Sequence, residues 1–253
     1  NKMIERLKKL ARKKYLIASG CMPLVYKDKV IKTIRETNKK CKIGFVSPNN
    51  LKEIVNVARD LKEGKESLTI NNKKSELICL DKISKEKIIS IVQISTGCLG
   101  NCNYCVVKLA KGNLFSFSKE KIIKQIKNDL TQGAKEIWLT SQDCGCYGKD
   151  SGDYKLVSLL KEVSKIKGKF KVRLGMSNPQ HIRFFIDDLI EVMKNKKFFK
   201  FLHIPVQSGS NKILKLMNRS YKVSDFIEIV KKFRKAFPDS IISTDIIVGY
   251  PGE

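Results

Sequence analysis

From residue 91 onward the apolar positions change period repeatedly, from continuous runs that suit strands to spacings of three and four that suit helices. Ile91 to Thr96 reads as a strand, and Ile122, Ile123, Ile126 and Leu130 then share one face of a helix that Ser118 caps and Gly133 ends. A strand follows at 136–141, then a helix with Leu156, Leu159, Leu160, Val163 and Ile166 on one side, then a strand at 171–176. A helix near 182–193, a strand at 199–206, a helix at 226–237 and a strand at 241–249 complete the series. Five strands alternating with helices predict βαβ units and a parallel sheet in an α/β fold. The apolar helix stripes are assigned to packing.

The first 63 residues give a second, smaller α/β pattern. It has a basic helix, a strand at 15–18 running into Gly20-Cys21, a strand at 43–47 and a helix to Glu63. Residues 64–87 are polar and Lys-rich with a short apolar stretch at Leu77 to Leu80, which suits a linker or hairpin. The expected organisation is therefore a unit at 1–63, a connection at 64–87 and a larger unit at 88–253. No apolar run approaches the roughly 20 residues needed to span a bilayer. The first residues also lack an apolar signal stretch, so a soluble, cytoplasmic chain is expected.

Composition adds charge and thiols to this frame. The 253 residues hold 51 Lys and Arg against 25 Asp and Glu, a net +26. The surplus is spread along both halves of the chain, and it points to a polyanionic partner such as nucleic acid or, equally, to a Lys-rich composition. Only eight of these cations are Arg, which favours phosphate contacts over bidentate base reading. Eight cysteines without an export signal read as reduced thiols or metal ligands rather than disulfides.

Three of those cysteines, Cys98, Cys102 and Cys105, stand in a C-x3-C-x2-C spacing directly after a strand. Close-set thiolates bind zinc or an iron-sulfur cluster. A closed zinc site wants four protein ligands, and the loop supplies three. On a four-iron cluster the fourth position stays open to an exogenous chelating ligand such as an amino-acid cofactor. Zinc bound in an RNA-binding module without catalysis is the competing reading.

The loop resembles the radical S-adenosylmethionine superfamily, in which an aromatic residue, here Tyr104, precedes the last cysteine. The likeness runs over essentially the whole chain and is greatest to the methylthiotransferases, in particular the threonylcarbamoyladenosine branch. The blocks that carry it are 95–105, 136–143, 173–179 and 203–209. It implies a partial radical S-adenosylmethionine (β/α)6-type barrel preceded by part of a smaller α/β methylthiotransferase domain. It also implies two [4Fe-4S] clusters, one held by Cys98, Cys102 and Cys105 and the other with Cys21 as one ligand. The other two ligands are expected before Asn1, and a last strand and an RNA-binding domain after Glu253, so the chain is expected to be an internal piece.

The implied activity adds a methylthio group to carbon 2 of N6-threonylcarbamoyladenosine at position 37 of tRNA, through a 5′-deoxyadenosyl radical from S-adenosyl-L-methionine. An electron donor is implied as a partner. Sister targets are isopentenyladenosine in tRNA and an aspartate of a ribosomal protein. By resemblance Tyr104, Ser141, Gln142, Asp143, Arg173, Ser177 and Gln207 line the cofactor site; turn capping is the alternative for the polar residues at strand ends. Ala110-Lys111-Gly112 departs from the family, many of whose members have Arg before this glycine. His181 and His203 are assigned no catalytic role, Trp138 is assigned to packing, and Cys41, Cys79, Cys144 and Cys146 to burial.

Overall fold

The computed structural model describes residues 2–70, 76–79 and 88–253. It divides into two compact units, one of residues 1–77 with 106–112 and one of residues 78–105 with 113–253. Of the expected connection at 64–87, residues 71–75 and 80–87 lie outside the described residues.

The smaller unit carries helices α1 (Lys2–Ala11), α2 (Cys21–Val25), α3 (Lys27–Thr37), α4 (Ile54–Lys62) and α5 (Val107–Lys111). Its strands β1 (Tyr15–Ser19), β2 (Lys42–Val46) and β3 (Ser67–Thr69) form a parallel sheet in that order. Helix α3 carries a short apolar stripe, wholly buried Val30 and Ile34 with partly buried Ile31, too short to set a helical period in the sequence. Gly44 has a packing reason, since a Cβ there would meet Val57 Cγ1 at 2.5 Å, so α4 lies directly on β2. Strand β3 falls within the stretch read as a connection. The Glu66 carboxylate takes Arg35 Nη2 at 2.6 Å and the Ile43 N–H at 2.8 Å, which pins β3 beside β2.

The larger unit is a partial barrel of five parallel strands. They are β4 (Ile89–Gln93), β7 (Glu136–Thr140), β8 (Lys171–Leu174), β9 (Phe201–His203) and β10 (Ile241–Ser243). β4-β7-β8 form one ladder and β9-β10 another, with a Val172–Phe198 bridge between β8 and the approach to β9. A short antiparallel pair, β5 (Ser95–Thr96) and β6 (Phe115–Ser116), extends the top of β4. The connecting helices are α6 (Lys119–Thr131), α7 (Leu156–Lys165), α8 (Pro179–Ile182), α9 (Ile186–Met193), α10 (Asn211–Leu216) and α11 (Val223–Ala236). Ser118 caps α6 as read from the sequence, its Oγ accepting the Lys121 N–H at 3.4 Å.

Alternation along the strands separates two faces. Val92, Ile137, Leu139, Val172, Leu174 and Leu202 point to the helices and are buried. Ile91, Trp138 and Arg173 sit in register on the other, open face. The helix expected near 182–193 is two helices, because the N–H groups of Phe184 and Phe185 bond back to His181 and Ile182 in tight turns. That break turns Phe185 into the core, 5.1 Å from the Tyr154 ring. The last two strands are shorter than expected. Pro205 has no N–H to give, and past Ser243 the Val206 N–H goes to the Thr244 hydroxyl instead of a backbone carbonyl.

Candidate functional site

Cys98, Cys102 and Cys105 lie in the loop after β5, and all eight cysteines are free thiols. Cys98 and Cys102 are half-buried and Cys105 is exposed. A Cβ on Gly100 would lie 3.3 Å from Cys98 Sγ and 3.7 Å from Cys102 Sγ, so both sulfurs border the space that a side chain here would take. The Gly100 N–H donates to Cys98 Sγ at 3.2 Å. Burial raises the Cys98 thiol pKa while that N–H opposes the rise. A donor set of three soft thiols, with an N–H aimed at one sulfur, suits an iron-sulfur cluster with one iron left open.

The loop is clamped by a segment from the far end of the unit. The Asn103 N–H donates to Met217 O at 3.1 Å and its side-chain amide to Leu216 O at 2.7 Å. In return the Asn218 amide donates to Asn101 O at 2.8 Å. Arg219 Nη1 donates to Cys102 Sγ at 3.1 Å, Nη2 to Asn178 Oδ1 at 2.9 Å and Nε to the Tyr221 hydroxyl at 3.2 Å. Burial works against the Arg219 charge, but Tyr221 and Cys102 outweigh it and the guanidinium pKa is raised. Asn178 falls in the 173–179 block, whereas Asn218 and Arg219 carry no sequence expectation; the signal available for them was Leu216-Met217-Asn218-Arg219-Ser220-Tyr221, a polar turn between two helices.

The loops after β7 and β8 meet beneath the cysteines. Asp143, which the sequence reading set near the cofactor, is 1% exposed and turns inward. Its Oδ1 accepts the N–H groups of Gly145 at 2.9 Å and Asn178 at 3.1 Å. Its Oδ2 is buried with no hydrogen-bond partner. Burial pushes its pKa up to about 6. Cys146 and His181 bring a sulfur and a nitrogen within 4.8 Å of that carboxylate and of each other. Both ring nitrogens of His181 are engaged, Nδ1 with the Tyr154 hydroxyl at 3.0 Å and Nε2 with the Gln180 amide nitrogen at 2.8 Å. Burial raises the thiol pKa of both Cys144 and Cys146, which are core residues as expected. Cys79 differs: it is exposed, its N–H held by Gln125 Oε1 at 2.8 Å.

The other sequence candidates divide into two groups. Ser141 and Ser177 serve the loops. Ser141 Oγ lies 2.7 Å from Ser95 Oγ and accepts the Asp143 N–H, while Ser177 is wholly buried with its N–H on His203 O. Gln142 and Gln207 lie at strand ends, and Tyr104 lies in the cysteine loop with its hydroxyl hydrogen-bonded to Cys102. The Gln142 amide oxygen is buried without a donor, which leaves an acceptor for a ligand's N–H. Tyr104 packs edge-on against Tyr250 at 6.4 Å, and burial raises its phenol pKa. Gln207 adopts φ 68°, rare for a non-glycine residue, and its backbone joins Asp245 and Ile247.

Arg173 lies lower on the open face, its guanidinium 4.8 Å from the Trp138 ring centroid and 4.4 Å from that of Phe201. Trp138 therefore does not pack with its neighbours Ile137 and Leu139, which point the other way; it forms one wall of a cation-aromatic stack. His203 and Asp245 pair above it at 3.0 Å.

Residues 92–253 match the Radical SAM superfamily profile. A probable threonylcarbamoyladenosine tRNA methylthiotransferase of Pyrococcus abyssi is 42% identical over 256 residues, covering all of this chain and 58% of that protein. The threonylcarbamoyladenosine tRNA methylthiotransferase of Homo sapiens is 41% identical over 174 residues, covering 69% of this chain and 30% of its own length. The chain thus spans little more than half of the archaeal relative it matches. Among solved structures, the radical S-adenosylmethionine methyltransferase TsrM of Kitasatospora setae superposes with a TM-score of 0.65 at 10% identity, over all of this chain and 60% of its own. The cobalamin-dependent radical enzyme OxsB gives a TM-score of 0.60 at 14% identity, over 98% of this chain and 42% of its own. These two likenesses speak to the fold.

Proposed function

The chain belongs to the Radical SAM superfamily, and from that premise we propose that its parent protein is a tRNA methylthiotransferase acting on carbon 2 of N6-threonylcarbamoyladenosine at position 37. The observation that carries this reading is the closeness of the Cys98 and Cys102 sulfurs, both within 4 Å of where a Gly100 Cβ would stand, in the loop whose third thiol is Cys105. The relatives' shared activity supplies the substrate class.

When bound, a [4Fe-4S] cluster and S-adenosyl-L-methionine supply a carbon radical, which suits a ring hydrogen that no acid-base route removes near neutral pH. The chain's own residues bind and orient. Cys98, Cys102 and Cys105 give three sulfurs and leave one position open. Gln142 offers its unfilled carbonyl to the cofactor's amino group, and Tyr104 covers the cluster loop against Tyr250. Asp143 and Ser177 fix the loops after β7 and β8, so in this reading they position the site rather than touch the cofactor. On the open face the Trp138, Arg173 and Phe201 stack offers a flat cationic surface to an incoming nucleobase.

Cys21, exposed at the start of α2, is proposed as one ligand of a second [4Fe-4S] cluster in the complete protein. A cytoplasmic setting and a reducing electron donor complete the reading. No helix among the described residues is long and apolar enough to cross a membrane.

The test uses the full-length protein purified without oxygen. It should be brown with several irons per chain, and Cys102→Ala should lose the barrel cluster's share of that colour together with cofactor cleavage. A colourless protein holding one zinc would sink the radical reading. A deletion strain that kept its methylthiolated threonylcarbamoyladenosine would sink the substrate, and loss of the isopentenyl counterpart instead would point to the sister activity.

A further inference from the structure

We infer that Arg219 is the charge-balancing and positioning residue of the cluster in the 98–105 loop, its guanidinium donating to the sulfur of Cys102 and holding the cluster's reduction potential up. This rests on the proposal that Cys98, Cys102 and Cys105 hold that cluster.

Three features separate Arg219 from a surface cation that merely happens to lie near sulfur. All three of its nitrogens are committed, and the two that do not face Cys102 fix the aim of the one that does. Its anchors are themselves anchored: the Tyr221 hydroxyl donates to Val206 O at 2.6 Å, and the Asn178 N–H to buried Asp143 Oδ1 at 3.1 Å. A planar fork held at two corners loses little entropy in making its third bond. Second, among the described residues Arg219 forms no ion pair with Asp or Glu within 4.0 Å. A partly buried guanidinium is favoured beside an anion, and among the described residues the anion-forming groups that it hydrogen-bonds are a thiol and a phenol. Third, the loop does not need Arg219 for its shape, because Asn103 and Asn218 already tie it down with three neutral bonds. What Arg219 adds is charge.

A four-iron cluster on three thiolates carries net negative charge, and reduction adds one more. A fixed positive charge hydrogen-bonded to a ligand sulfur stabilises the reduced form more than the oxidised form, so it raises the potential. An electron must reach the cluster before the cofactor can be cleaved, so this bond bears on whether a donor can load it. The Gly100 N–H on Cys98 Sγ acts in the same direction without a full charge, whereas the bonds of Asn103 and Asn218 end on backbone carbonyls and touch no sulfur.

The experiment uses full-length protein, reconstituted anaerobically, with Cys21→Ala in the background so that only the barrel cluster is read. Arg219→Gln should lower the midpoint potential at unchanged iron content, with Arg219→Lys between Gln and the parent. Pulsed electron resonance on the reduced parent protein labelled with 15N-arginine should show a nitrogen coupling that Arg219→Lys removes. An unchanged midpoint in Arg219→Gln with the cluster present, or no arginine coupling in the parent, would overturn the inference. The coupling measurement needs no substitution, so it answers even if Arg219→Gln fails to fold. A parent protein that takes up no iron at all would instead bring down the underlying cluster proposal.

Discussion

His181 Nε2 stands 3.6 Å from Asp143 Oδ2 with both side chains buried, and burial drives their pKa values toward each other's ordinary range. Asp143 is pushed up to about 6 and His181 down to about 4. Between those values both groups are neutral. For Asp143 the folded state holds its proton more tightly than the unfolded chain, so its contribution is complete below about pH 4 and is lost as pH rises through about 6. His181 has the opposite sign: its neutral form favours folding above about pH 6.5, and that benefit fades as pH falls toward 4. Asp143→Asn keeps an oxygen for the Gly145 and Asn178 N–H groups. It should exceed the parent protein in stability at pH 7.5 by up to about 3 kcal/mol, with the gap closing near pH 4. Thermal melts across that range would show it, and a gap independent of pH would reject it.

Trp138 is the sole tryptophan, so its fluorescence reports the open face without labelling. Arg173→Leu keeps bulk between Trp138 and Phe201 but removes the charge. Emission should shift and stability should fall by roughly 1–2 kcal/mol, the worth of a partly desolvated cation between two rings. An unaltered spectrum would mean that the stack does not persist in solution.

Asn218 combines φ 58° with a hydrogen bond donated by its side-chain amide to Asn101 O. Glycine keeps the turn and loses the bond, whereas alanine loses the bond and strains the turn. Urea unfolding should rank parent above Asn218→Gly by about 1 kcal/mol, with Asn218→Ala about 1 kcal/mol lower again. Equal losses for the two variants would remove the backbone part of the argument.

Gly175 sits where β8 gives way to its loop, and a Cβ there would fall 2.6 Å from Leu139 O and 3.1 Å from Cys144 Sγ. Gly175→Ala should therefore part β7 from β8 at their upper ends and cost about 1–3 kcal/mol, as overpacking does. Amide exchange should quicken at Gly175, whose N–H bonds Leu139 O. Unchanged exchange there would show that the strands absorb a methyl group.

The larger unit was legible because its helix faces carry long apolar stripes and its strands are bounded by glycines and prolines. Helix α10 escaped: within Asn211–Leu216 only Ile213 and Leu214 are buried, too few to set a period. Trp138 shows the limit of reading neighbours along a strand, since residues 137 and 139 share one face and 138 takes the other. The cysteine loop could be read from spacing, because its three thiols are close in sequence. Its clamp could not, since Arg219 and Cys102 are 117 positions apart and nothing local to either residue encodes the meeting. The two backbone N–H groups that Asp143 Oδ1 accepts could not be foreseen, because a strand-end carboxylate looks the same in sequence whether it faces a ligand or a backbone amide.

The clamp on the cysteine loop also sets an order of events during synthesis. Chains emerge at roughly 5–20 residues per second, so Cys98, Cys102 and Cys105 are exposed for several seconds before Leu216 to Tyr221 exist to hold the loop. Through that interval the three thiols sit on an untethered segment of nascent chain, open to oxidation or to stray metal. The bonds from Asn103, Asn218 and Arg219 can close only once most of this unit has been made. Assembly of the loop is therefore a late event, which follows the making of the strands and helices between its cysteines and its clamp.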